Sequence, residues 1–443
     1  MRCISIPVRI CFGQVLVSGL AILAVGCGEE LGPASPPSVG SDSSALQQDA
    51  GVTAVQAGSA DGLVETVSIQ MKLDGNDTYL SKWSTVTRPR LLELGVRHIR
   101  GRLNSTPGTI SKYQDLAANG IKLTAGCWPQ NDNYSDASHC IAQANAIGPA
   151  AIDAFDGWNE VDGGKAGNDW PLDWVKWETT LWNAYNSSST WASRPLYANS
   201  LAHAVSADKL GDRSAILDYG NLHSYPAAGP PSNISDSWIP QWTQVARSKP
   251  LVVTETGYNT CVPCTNGNGV SLLAHSKYLG RLIFEYYNRG IKRSNIYELI
   301  DIGVSTTDRN QNWGLIKNNG TLKPAFTTLK NIIALLRDPG SSFSPGRLSY
   351  GVSGALSSTH YSLLQKRDGR FYLVLWQELS VWNIKGKSDI RNADNAVTLT
   401  LGSSAKAIRV YRPSTGLTAV QSGSGTSIKL AVPDEVIVVE VTP

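Results

Sequence analysis

Short apolar runs alternate with longer amphipathic stretches between about residues 63 and 340. Eight runs have the length of buried strands, at 64–73, 96–103, 121–127, 151–159, 195–200, 219–225, 250–255 and 295–303. The stretches between them carry apolar residues at helical spacing, as 271–290 does. Eight strand and helix units predict an α/β fold, a parallel (β/α)8 TIM barrel. The alternative is an open doubly wound sheet, which would want a glycine-rich phosphate loop after an early strand, and none is present.

The pattern changes after the helix that ends near Gly340. Residues 360–367 and 371–378 alternate as strands and flank Asp368-Gly369, a strong hairpin signal, and further short strands follow at 397–401, 407–411, 427–431 and 435–441. This pattern predicts a small all-β sandwich domain over 341–443, after a barrel over 63–340. We expect the sandwich to support the barrel, with glycan binding as the alternative.

The N-terminus has the features of an export signal. Arg2 and Arg9 precede an apolar stretch, and the small residues at 24–26 precede Cys27 as in a bacterial lipobox. Residues 1–27 are therefore predicted to be a lipoprotein signal peptide, with Cys27 lipidated, although an ordinary secretory cleavage or a transmembrane anchor stays open. The small and polar residues of 28–62 predict a flexible linker. The expected location is the bacterial cell envelope, through a lipid anchor in the membrane, or outside the cell.

Charge and cysteine content narrow the possibilities further. The formal net charge is +3, and no basic tract occurs, which argues against a nucleic-acid partner. Three of the seven cysteines lie within 1–27, and the remaining even number suits an oxidising compartment. Pairing of sequence neighbours is the simplest arrangement, although connectivity stays open and a zinc site is the rival interpretation. The predicted disulfide cysteines are Cys127, Cys140, Cys261 and Cys264.

Two glutamates stand where strands of the predicted barrel end. Glu160 follows the fourth apolar run in AFDGWNE, and Glu255 ends the seventh in VVTETGY. The C-terminal ends of barrel strands form the substrate-binding face, and strands four and seven lie across the barrel mouth from each other. We therefore expect the two carboxylates to converge. Glycosidic cleavage needs such a pair, because one group protonates the leaving oxygen while the other attacks the sugar or activates water.

Neighbouring residues separate the expected roles of the two glutamates. Asn159 is expected to hold a sugar 2-hydroxyl, which makes the adjacent Glu160 the general acid/base, its pKa raised by the second carboxylate. Glu255 is then the nucleophile. It must stay ionised, and an arginine of the second strand, Arg100 or Arg102, is placed to hold it so.

Motifs GWNE on strand four and VVTETGY on strand seven resemble the clan A superfamily of retaining glycoside hydrolases, whose barrels carry both catalytic glutamates at these strands. HSY after strand six places His223 and Tyr225 where that superfamily often has an active-site His or Tyr, and we expect the Tyr225 hydroxyl to help hold Glu255. The resemblance covers about residues 63–443. Many members end strand eight with a tryptophan under the sugar, whereas YELID here offers Glu298.

Further candidates for sugar contact lie in loops on the predicted catalytic face. Tryptophan rings there could stack on pyranose faces, with core packing as the alternative for each. Glu298 could bind sugar hydroxyls, but a strand-end acid is more often paired with a basic neighbour. His223 could equally be a structural histidine. The predicted substrate-binding residues are Asn159, Arg100, His223, Tyr225, Trp128, Trp313 and Glu298.

Together these features predict a retaining glycoside hydrolase that cleaves a poly- or oligosaccharide by double displacement without a cofactor or a metal. Retention predicts carboxyl groups about 5–5.5 Å apart, whereas a gap above about 6.5 Å favours inversion. Two alternatives stay open: a non-catalytic carbohydrate-binding lipoprotein, and a transglycosylase that uses the same glutamates. Sugar specificity does not follow from the barrel, because this fold hosts many activities.

Overall fold

The structure is a computed structural model of the chain that describes residues 51–75, 77–165, 169–234, 237–264 and 268–443. The predicted signal peptide, the lipidation site at Cys27 and most of the predicted linker lie outside these ranges. No helix within them combines the length and the apolar character needed to cross a membrane.

All eight predicted barrel strands are present and form one parallel sheet. The strands are β1 Val67–Gln70, β2 His98–Arg102, β3 Lys122–Gly126, β4 Ile152–Asp156, β5 Leu196–Tyr197, β6 Gly220–Leu222, β7 Leu251–Thr256 and β8 Ser294–Ile296. Each strand pairs with the next from β1 to β5 and from β6 to β8, and β8 pairs with β1. A single parallel bridge between Tyr197 and Tyr219 joins β5 to β6, so the barrel is nearly closed.

Helices cover the outside of the barrel, which is why its strands read as continuous apolar runs. The helical pattern at 271–290 is confirmed as α8, which begins where the Ser271 hydroxyl accepts a hydrogen bond from the Ala274 N–H at 2.9 Å. The α-helices are α1 Ala60–Thr66, α2 Asp77–Ser81, α3 Arg88–Leu94, α4 Pro107–Ala118, α5 Ser138–Ile147, α6 Trp170–Asn186, α7 Trp238–Ala246, α8 Leu272–Asn288 and α9 Pro324–Leu336. Short π-helical turns occupy Trp83–Thr87 and Val161–Lys165, and 3₁₀ turns occupy Ala204–Lys209, Ser214–Ile216, Pro231–Ile234 and Arg309–Gln311.

The structure corrects two expectations near the start of the described chain. The expected linker ends before Thr53, because Thr53–Gln56 pairs antiparallel with residues 347–350, and Gly58–Ser59 pairs with 364–365. The expected strand at 64–73 starts only at Val67. The residues before it form α1, since the Ser59 hydroxyl accepts from the Gly62 N–H at 3.0 Å and starts a helix there.

The C-terminal region is all-β, as predicted. The strands are β9 Arg347–Ser353, β10 Thr359–Gln365, β11 Phe371–Gln377, β12 Trp382–Asn383, β13 Ser388–Asp389, β14 Asn395–Tyr411, β15 Ala419–Val432 and β16 Ile437–Thr442. The eight-stranded sheet has the order Thr53–Gln56, β9, β14, β16, β11, β10 and Gly58–Ser59, with β15 paired to β14. The long β14 pairs with β9 through 398–401 and with β16 through 407–411, so the sheet folds over a core of its own. β12 and β13 form a separate two-stranded sheet.

Polar contacts tie this sheet to α8 of the barrel. The Glu285 carboxylate accepts hydrogen bonds from the Trp376 indole at 2.9 Å and from His360 at 2.6 Å. The Arg281 guanidinium donates to the carbonyl of Gln377 at 2.6 Å. Trp376 is fully buried in this contact, so it packs against the barrel and does not present a glycan-binding surface.

Both predicted disulfides are present, Cys127–Cys140 and Cys261–Cys264. The first ties the end of β3 to α5, on the C-terminal side of the barrel. Such a bridge lowers the conformational entropy of the unfolded chain, and for a loop of about 15 residues this stabilises the folded state by about 3 kcal/mol.

Candidate active site

The segment after β4 is held to the segment after β5 by a ladder of hydrogen bonds. The Trp158 N–H donates to the Asn199 amide oxygen at 2.7 Å, the Ser200 N–H to the Trp158 carbonyl at 2.9 Å, and the Glu160 N–H to the Ser200 hydroxyl at 2.9 Å. Only glycine fits at position 157, because a Cβ there would meet the Asn199 backbone nitrogen at 2.7 Å and its Cα at 2.9 Å. These contacts fix where Glu160 leaves the barrel.

Glu160 has a left-handed backbone conformation, with φ of +51°. This region is unfavourable for a residue with a Cβ, by about 1–2 kcal/mol, and such outliers are concentrated at functional sites. The Glu160 side chain is 29% exposed, so a ligand in the barrel mouth can reach it.

Glu255 is the other carboxylate of the pair, and its side chain is only 12% exposed at the end of β7. The Arg100 guanidinium donates to its Oε1 at 2.7 Å, and the Tyr225 hydroxyl donates to its Oε2 at 2.9 Å. Burial by itself would raise the pKa of Glu255, but the charges of His223 and Arg100 outweigh that effect and hold the pKa below its usual value. The structure thus places a carboxylate that stays ionised at the predicted nucleophile position.

Arg100 connects the ends of β4 and β7. Besides Glu255, it donates to Asp156 at 2.5 Å, to the Asn159 amide oxygen at 2.9 Å and to Gln70 at 3.2 Å. It is 3% exposed and holds these carboxylate and amide oxygens, while its assignment to the substrate-binding group stays a prediction. Asn159 stays in the mouth beside Glu160, and because Arg100 occupies its oxygen, any contact to a sugar hydroxyl falls to its NH₂ group.

His223 lies between the two glutamates. Its Nδ1 is 3.1 Å from Glu160 Oε1 and 3.6 Å from Glu255 Oε2, while its Nε2 is 3.1 Å from the Thr254 hydroxyl. One carboxylate oxygen of each glutamate and the histidine nitrogen lie within 4.8 Å of one another. The predicted convergence of Glu160 and Glu255 is confirmed, and His223 joins them.

Aromatic side chains form one wall beside Glu255. Trp313, from the loop after β8, makes an edge-to-face contact with Tyr225 at 5.0 Å between ring centroids, and Tyr297 lies 5.9 Å from Trp313. All three rings are half-buried. The strand-eight segment has no tryptophan of its own, and Trp313 brings a flat apolar ring to the site from further along the chain.

Trp128 lies in a different part of the barrel mouth. The Arg102 guanidinium stacks on its indole at 4.4 Å, and both line a polar cleft of about 210 Å³ with Asn104, Gln130 and Gln143. Arg102 therefore does not hold Glu255, and the structure selects Arg100 of the two arginines considered. The residues that line this cleft include neither Glu160 nor Glu255.

Glu298 is removed from the mouth, which corrects its assignment to the substrate-binding group. Its side chain is fully buried and forms an ion pair with Lys72 at 3.0 Å, and it accepts from the Tyr79 hydroxyl at 3.0 Å. Burial raises its pKa to about 7, although Lys72 and Tyr79 act in the opposite direction. Glu298 is thus the strand-end acid with a basic neighbour that the sequence left as the alternative.

Ligand-type groups converge at two places within the described ranges. The first comprises Glu160, His223 and Glu255, described above. The second comprises Cys127, His139 and Cys140, so a histidine lies near one cysteine pair, as the rival zinc interpretation would need. These cysteines are joined in a disulfide, which leaves no thiolate for zinc.

Sequence reasoning missed the buried polar residues behind the site. Asp156, Asn221 and Thr254 lie on β4, β6 and β7 with at most 1% exposure, and they form a continuous chain of hydrogen bonds from Arg100 to His223. Each is a polar residue inside an otherwise apolar barrel strand. A polar residue within an apolar strand could have indicated this network from the sequence, because a buried polar group needs a hydrogen-bond partner.

Comparison with known proteins agrees with this architecture. No protein-family model and no curated protein matches the chain. Solved structures do match, among them a family 39 glycoside hydrolase from Bacteroides cellulosilyticus WH2, with a TM-score of 0.58 and 12% identity over 86% of this chain and 82% of that one. A glucosidase from Croceicoccus marinus has a TM-score of 0.56 and 9% identity, covering 88% and 98%. An endo-β1,6-glucanase has a TM-score of 0.50 and 13% identity, covering 88% and 92%.

The chain has the fold of these glycoside hydrolases. The barrel with a C-terminal β domain, expected from the resemblance to the clan A superfamily, is confirmed. At 9–13% identity the likeness concerns the fold, and the chemistry has to be argued from the residues of this chain.

Proposed function

We propose that the chain is a glycoside hydrolase that cleaves a poly- or oligosaccharide with retention of anomeric configuration. The observation that carries the proposal is the paired geometry of Glu160 and Glu255, whose nearest oxygen atoms are within 4.8 Å. Retaining glycosidases hold their carboxyl groups about 5–5.5 Å apart, whereas inverting enzymes need about 6.5–9.5 Å to admit a water molecule. The unequal surroundings of the two carboxylates support different roles for them.

In the first step, Glu255 acts as the nucleophile. Its carboxylate, kept ionised by Arg100 and Tyr225, attacks the anomeric carbon and forms a glycosyl ester. Glu160 delivers a proton to the glycosidic oxygen as the bond to the anomeric carbon breaks, and the leaving sugar takes the electron pair of that bond. The Asn159 amide lies beside Glu160, where a contact to the sugar 2-hydroxyl would strengthen as charge develops at the anomeric carbon.

In the second step, Glu160 acts as the base. It takes a proton from water as the water oxygen attacks the anomeric carbon, and the ester bond to Glu255 breaks with its electron pair returning to the carboxylate. Two displacements at one carbon give net retention. The aromatic wall of Trp313 and Tyr225 gives the sugar an apolar surface to lie against during both steps.

The test is release of reducing ends from a panel of plant, fungal and bacterial polysaccharides by the full chain and by Glu255→Gln and Glu160→Gln. We expect one polymer to be cleaved by the wild type, with losses of several orders of magnitude in both variants. Glu93→Gln is the matched control, because Glu93 is a half-exposed glutamate of α3 paired with Arg90 and Lys330. Proton NMR of the first product, before mutarotation, should show the anomeric configuration of the substrate.

Other outcomes of this experiment would reject the proposal. Equal cleavage by the wild type and Glu255→Gln would show that Glu255 is not the nucleophile, and an inverted first product would remove the double displacement. Binding of one glycan by all variants without cleavage would favour the carbohydrate-binding lipoprotein. Transfer of the glycosyl group to an added sugar acceptor, in place of water, would identify a transglycosylase.

We further propose that the chain is exported and anchored through Cys27. Two features support this proposal: the signal-like sequence of 1–27, and two disulfides that suit an oxidising compartment. Palmitate labelling of the full chain in a bacterial host should mark the wild type and not Cys27→Ser. Labelling of both proteins would place any lipid elsewhere.

A further inference from the structure

The polar cleft beside Trp128 opens in the barrel mouth, next to the carboxylate pair. Its walls come from the ends of β2 and β3, where Arg102 and Gly126 are paired in the parallel sheet. Arg102 follows Arg100 by two residues, so both side chains leave the same face of β2. The Arg102 Cα lies about 7 Å further along the strand, towards the mouth. Since Arg100 reaches Glu255, a saccharide whose reacting unit lies at Glu255 has this cleft within reach of a neighbouring unit.

Arg102 places a guanidinium in the cleft without a carboxylate to balance it. The guanidinium carbon lies 4.4 Å from the centroid of the Trp128 ring, so the indole covers one face of the planar group. Among the described residues, the N–H groups of Arg102 have no hydrogen-bond acceptor and no carboxylate at ion-pair distance. By contrast, Lys72 after β1 and Arg100 on β2 each pair with a glutamate. The N–H edge of Arg102 is therefore left for a ligand.

Neutral amides line much of the cleft. Asn104, Gln130 and Gln143 carry groups that both donate to and accept from sugar hydroxyls. The Asn104 amide oxygen already accepts from the Thr106 N–H at 2.8 Å, which leaves its NH₂ group for a ligand. Asp74 is the one carboxylate among the described residues that line the cleft, and it is exposed, so water and salt screen its charge. The cleft thus combines a guanidinium with amides that suit hydroxyl groups.

Contacts within the protein hold this cleft in shape. Trp128 directly follows Cys127, whose disulfide to Cys140 ties the segment to α5. The Trp177 indole donates to the Cys127 carbonyl at 3.3 Å, and His139 Nε2 lies 3.0 Å from the Trp128 carbonyl oxygen. These contacts fix the backbone that carries the indole under the guanidinium. A ligand group that meets a prepositioned partner loses less entropy on binding.

We propose that this cleft is a subsite for a negatively charged sugar unit, so that the proposed hydrolase acts on an acidic poly- or oligosaccharide. The inference rests on the proposed function for its place beside a cleavage site. A guanidinium edge offers parallel N–H groups that match two oxygens of one anionic group, whether a uronate carboxylate or a sulfate ester. The amides then hold hydroxyl groups of the same unit. The volume of about 210 Å³ has room for one such unit.

The charge of Arg102 makes the cleft selective. A hydrogen bond between two ionised groups is about twice as strong as one between neutral groups. A neutral sugar in the same place displaces water from the guanidinium without supplying a counter-charge, which is unfavourable for a half-buried cation. The cleft therefore favours an anionic unit and discriminates against its neutral counterpart.

The test is affinity electrophoresis of the full chain carrying Glu160→Gln, which keeps the polymer in the gel from being cleaved. The gels contain polygalacturonate, alginate, glucuronoxylan or carrageenan, and each polymer is paired with its carboxyl-reduced or desulfated form. We expect at least one charged polymer to be bound about tenfold or more tightly than its neutral form. Adding Arg102→Gln should abolish this preference and leave binding of the neutral form unchanged, whereas Arg102→Lys should keep part of it. The polymer that is preferred identifies the anionic group.

Three control variants separate the cleft from a general attraction of charge. Arg90→Gln removes the same charge from α3 and should keep the full preference. Asp74→Asn should bind the charged polymer at least as tightly as before. Gly126→Val narrows the cleft, although the new Cβ meets nothing closer than 3.6 Å, and it should weaken binding of the charged polymer. Equal affinity for charged and neutral forms of every polymer overturns the inference, as do equal losses in Arg90→Gln and Arg102→Gln or full binding by Gly126→Val.

These measurements need no cleavage, so their failure is distinguishable from failure of the proposed hydrolase. Binding of a charged polymer through Arg102 without cleavage of any polymer would keep the subsite and reject the hydrolase. Cleavage of a neutral polymer with equal kinetics in the wild type and Arg102→Gln would reject the subsite and keep the hydrolase. With a charged substrate, Arg102→Gln should raise KM about tenfold and change kcat by less than about twofold, because the ground state and the transition state make this contact equally.

Discussion

Replacement of Arg100 by methionine tests the electrostatic core of the site. Arg100 is the guanidinium that bridges Asp156 and Glu255, and methionine keeps much of its volume while it removes the charge and every donor. Arg102→Met is the matched control on the same strand. Arg102 is half-buried and stacks on Trp128, and no carboxylate of the described residues lies within ion-pair distance of it.

The expected magnitude follows from burial. Arg100→Met leaves two carboxylates, with side chains 0% and 12% exposed, without their cation. Removal of one partner of a buried ion pair costs about 3–5 kcal/mol, because the remaining charge stays desolvated. Loss of a partly exposed cation–π contact in Arg102→Met costs about 0.5–1 kcal/mol. The free energy of unfolding should therefore separate the two variants by at least about 2 kcal/mol.

The loss of unfolding free energy in Arg100→Met should depend on pH, which a loss of packing alone would not produce. Burial raises the pKa of both Asp156 and Glu255, and Arg100 lowers both. Without Arg100 the already raised pKa of Asp156 rises further, and the pKa of Glu255 rises from its lowered value. A carboxyl group with a raised folded-state pKa destabilises the fold above its unfolded-state pKa of about 4. The deficit of Arg100→Met relative to the wild type should be complete at pH 7 and smaller at pH 4, where protonation relieves the buried charge.

Urea unfolding followed by circular dichroism at both pH values measures these differences. With a slope of about 3 kcal/mol per M, the midpoint of Arg100→Met should fall by about 1 M or more at pH 7. Deficits of equal size at pH 4 and pH 7 would refute the electrostatic argument. A control variant that loses as much as Arg100→Met would show that substitution on β2 is damaging in itself.

Three further predictions concern the backbone and the disulfides. Glu160→Gly should be more stable to urea than Glu160→Ala by about 1 kcal/mol, because φ is +51° there; an equal or lower midpoint for the glycine variant would contradict the strain. Gly157→Ala should cost about 1–3 kcal/mol in the same assay, whereas Gly163→Ala, whose new Cβ meets nothing closer than 3.5 Å, should cost less than about 0.5 kcal/mol; similar losses would mean that the tight contact relaxes. Serine at both Cys127 and Cys140 should lower the free energy of unfolding by about 3 kcal/mol, and dithiothreitol should lower that of the wild type by about 3 kcal/mol more than that of this variant, which keeps only Cys261–Cys264 of the two disulfides described.

The eight barrel strands could be predicted because their signal is local. Each is an apolar run bounded by turn residues, and burial on both faces makes such runs stand out. The hairpin at Asp368-Gly369 and the helix at Leu272–Asn288 were equally visible, since turn chemistry and helical periodicity are properties of short segments. Glu160 and Glu255 followed from the strand ends, once the barrel topology was inferred.

Other features depend on contacts between distant segments. Thr53–Gln56 forms a strand only because residues 347–350 offer it an edge, and its own composition is that of a linker. Both Arg100 and Arg102 were plausible partners for Glu255, and their positions along β2 decide between them. Arg100 lies within the barrel, where it reaches β4 and β7, whereas Arg102 ends the strand and stacks on a neighbouring loop.

The sequence by itself thus determined the order of strands and helices and the two carboxylates at the barrel mouth, because hydrophobic periodicity and strand ends can be recognised within short segments. Tertiary structure alone decided the burial of Glu298 and the hydrogen-bond chain through Asn221 and Thr254 to His223. Burial and hydrogen bonding depend on which side chains meet across the barrel. Residues far apart in sequence form hydrogen bonds there at distances of about 3 Å, and the pattern within one segment does not predict contacts with another.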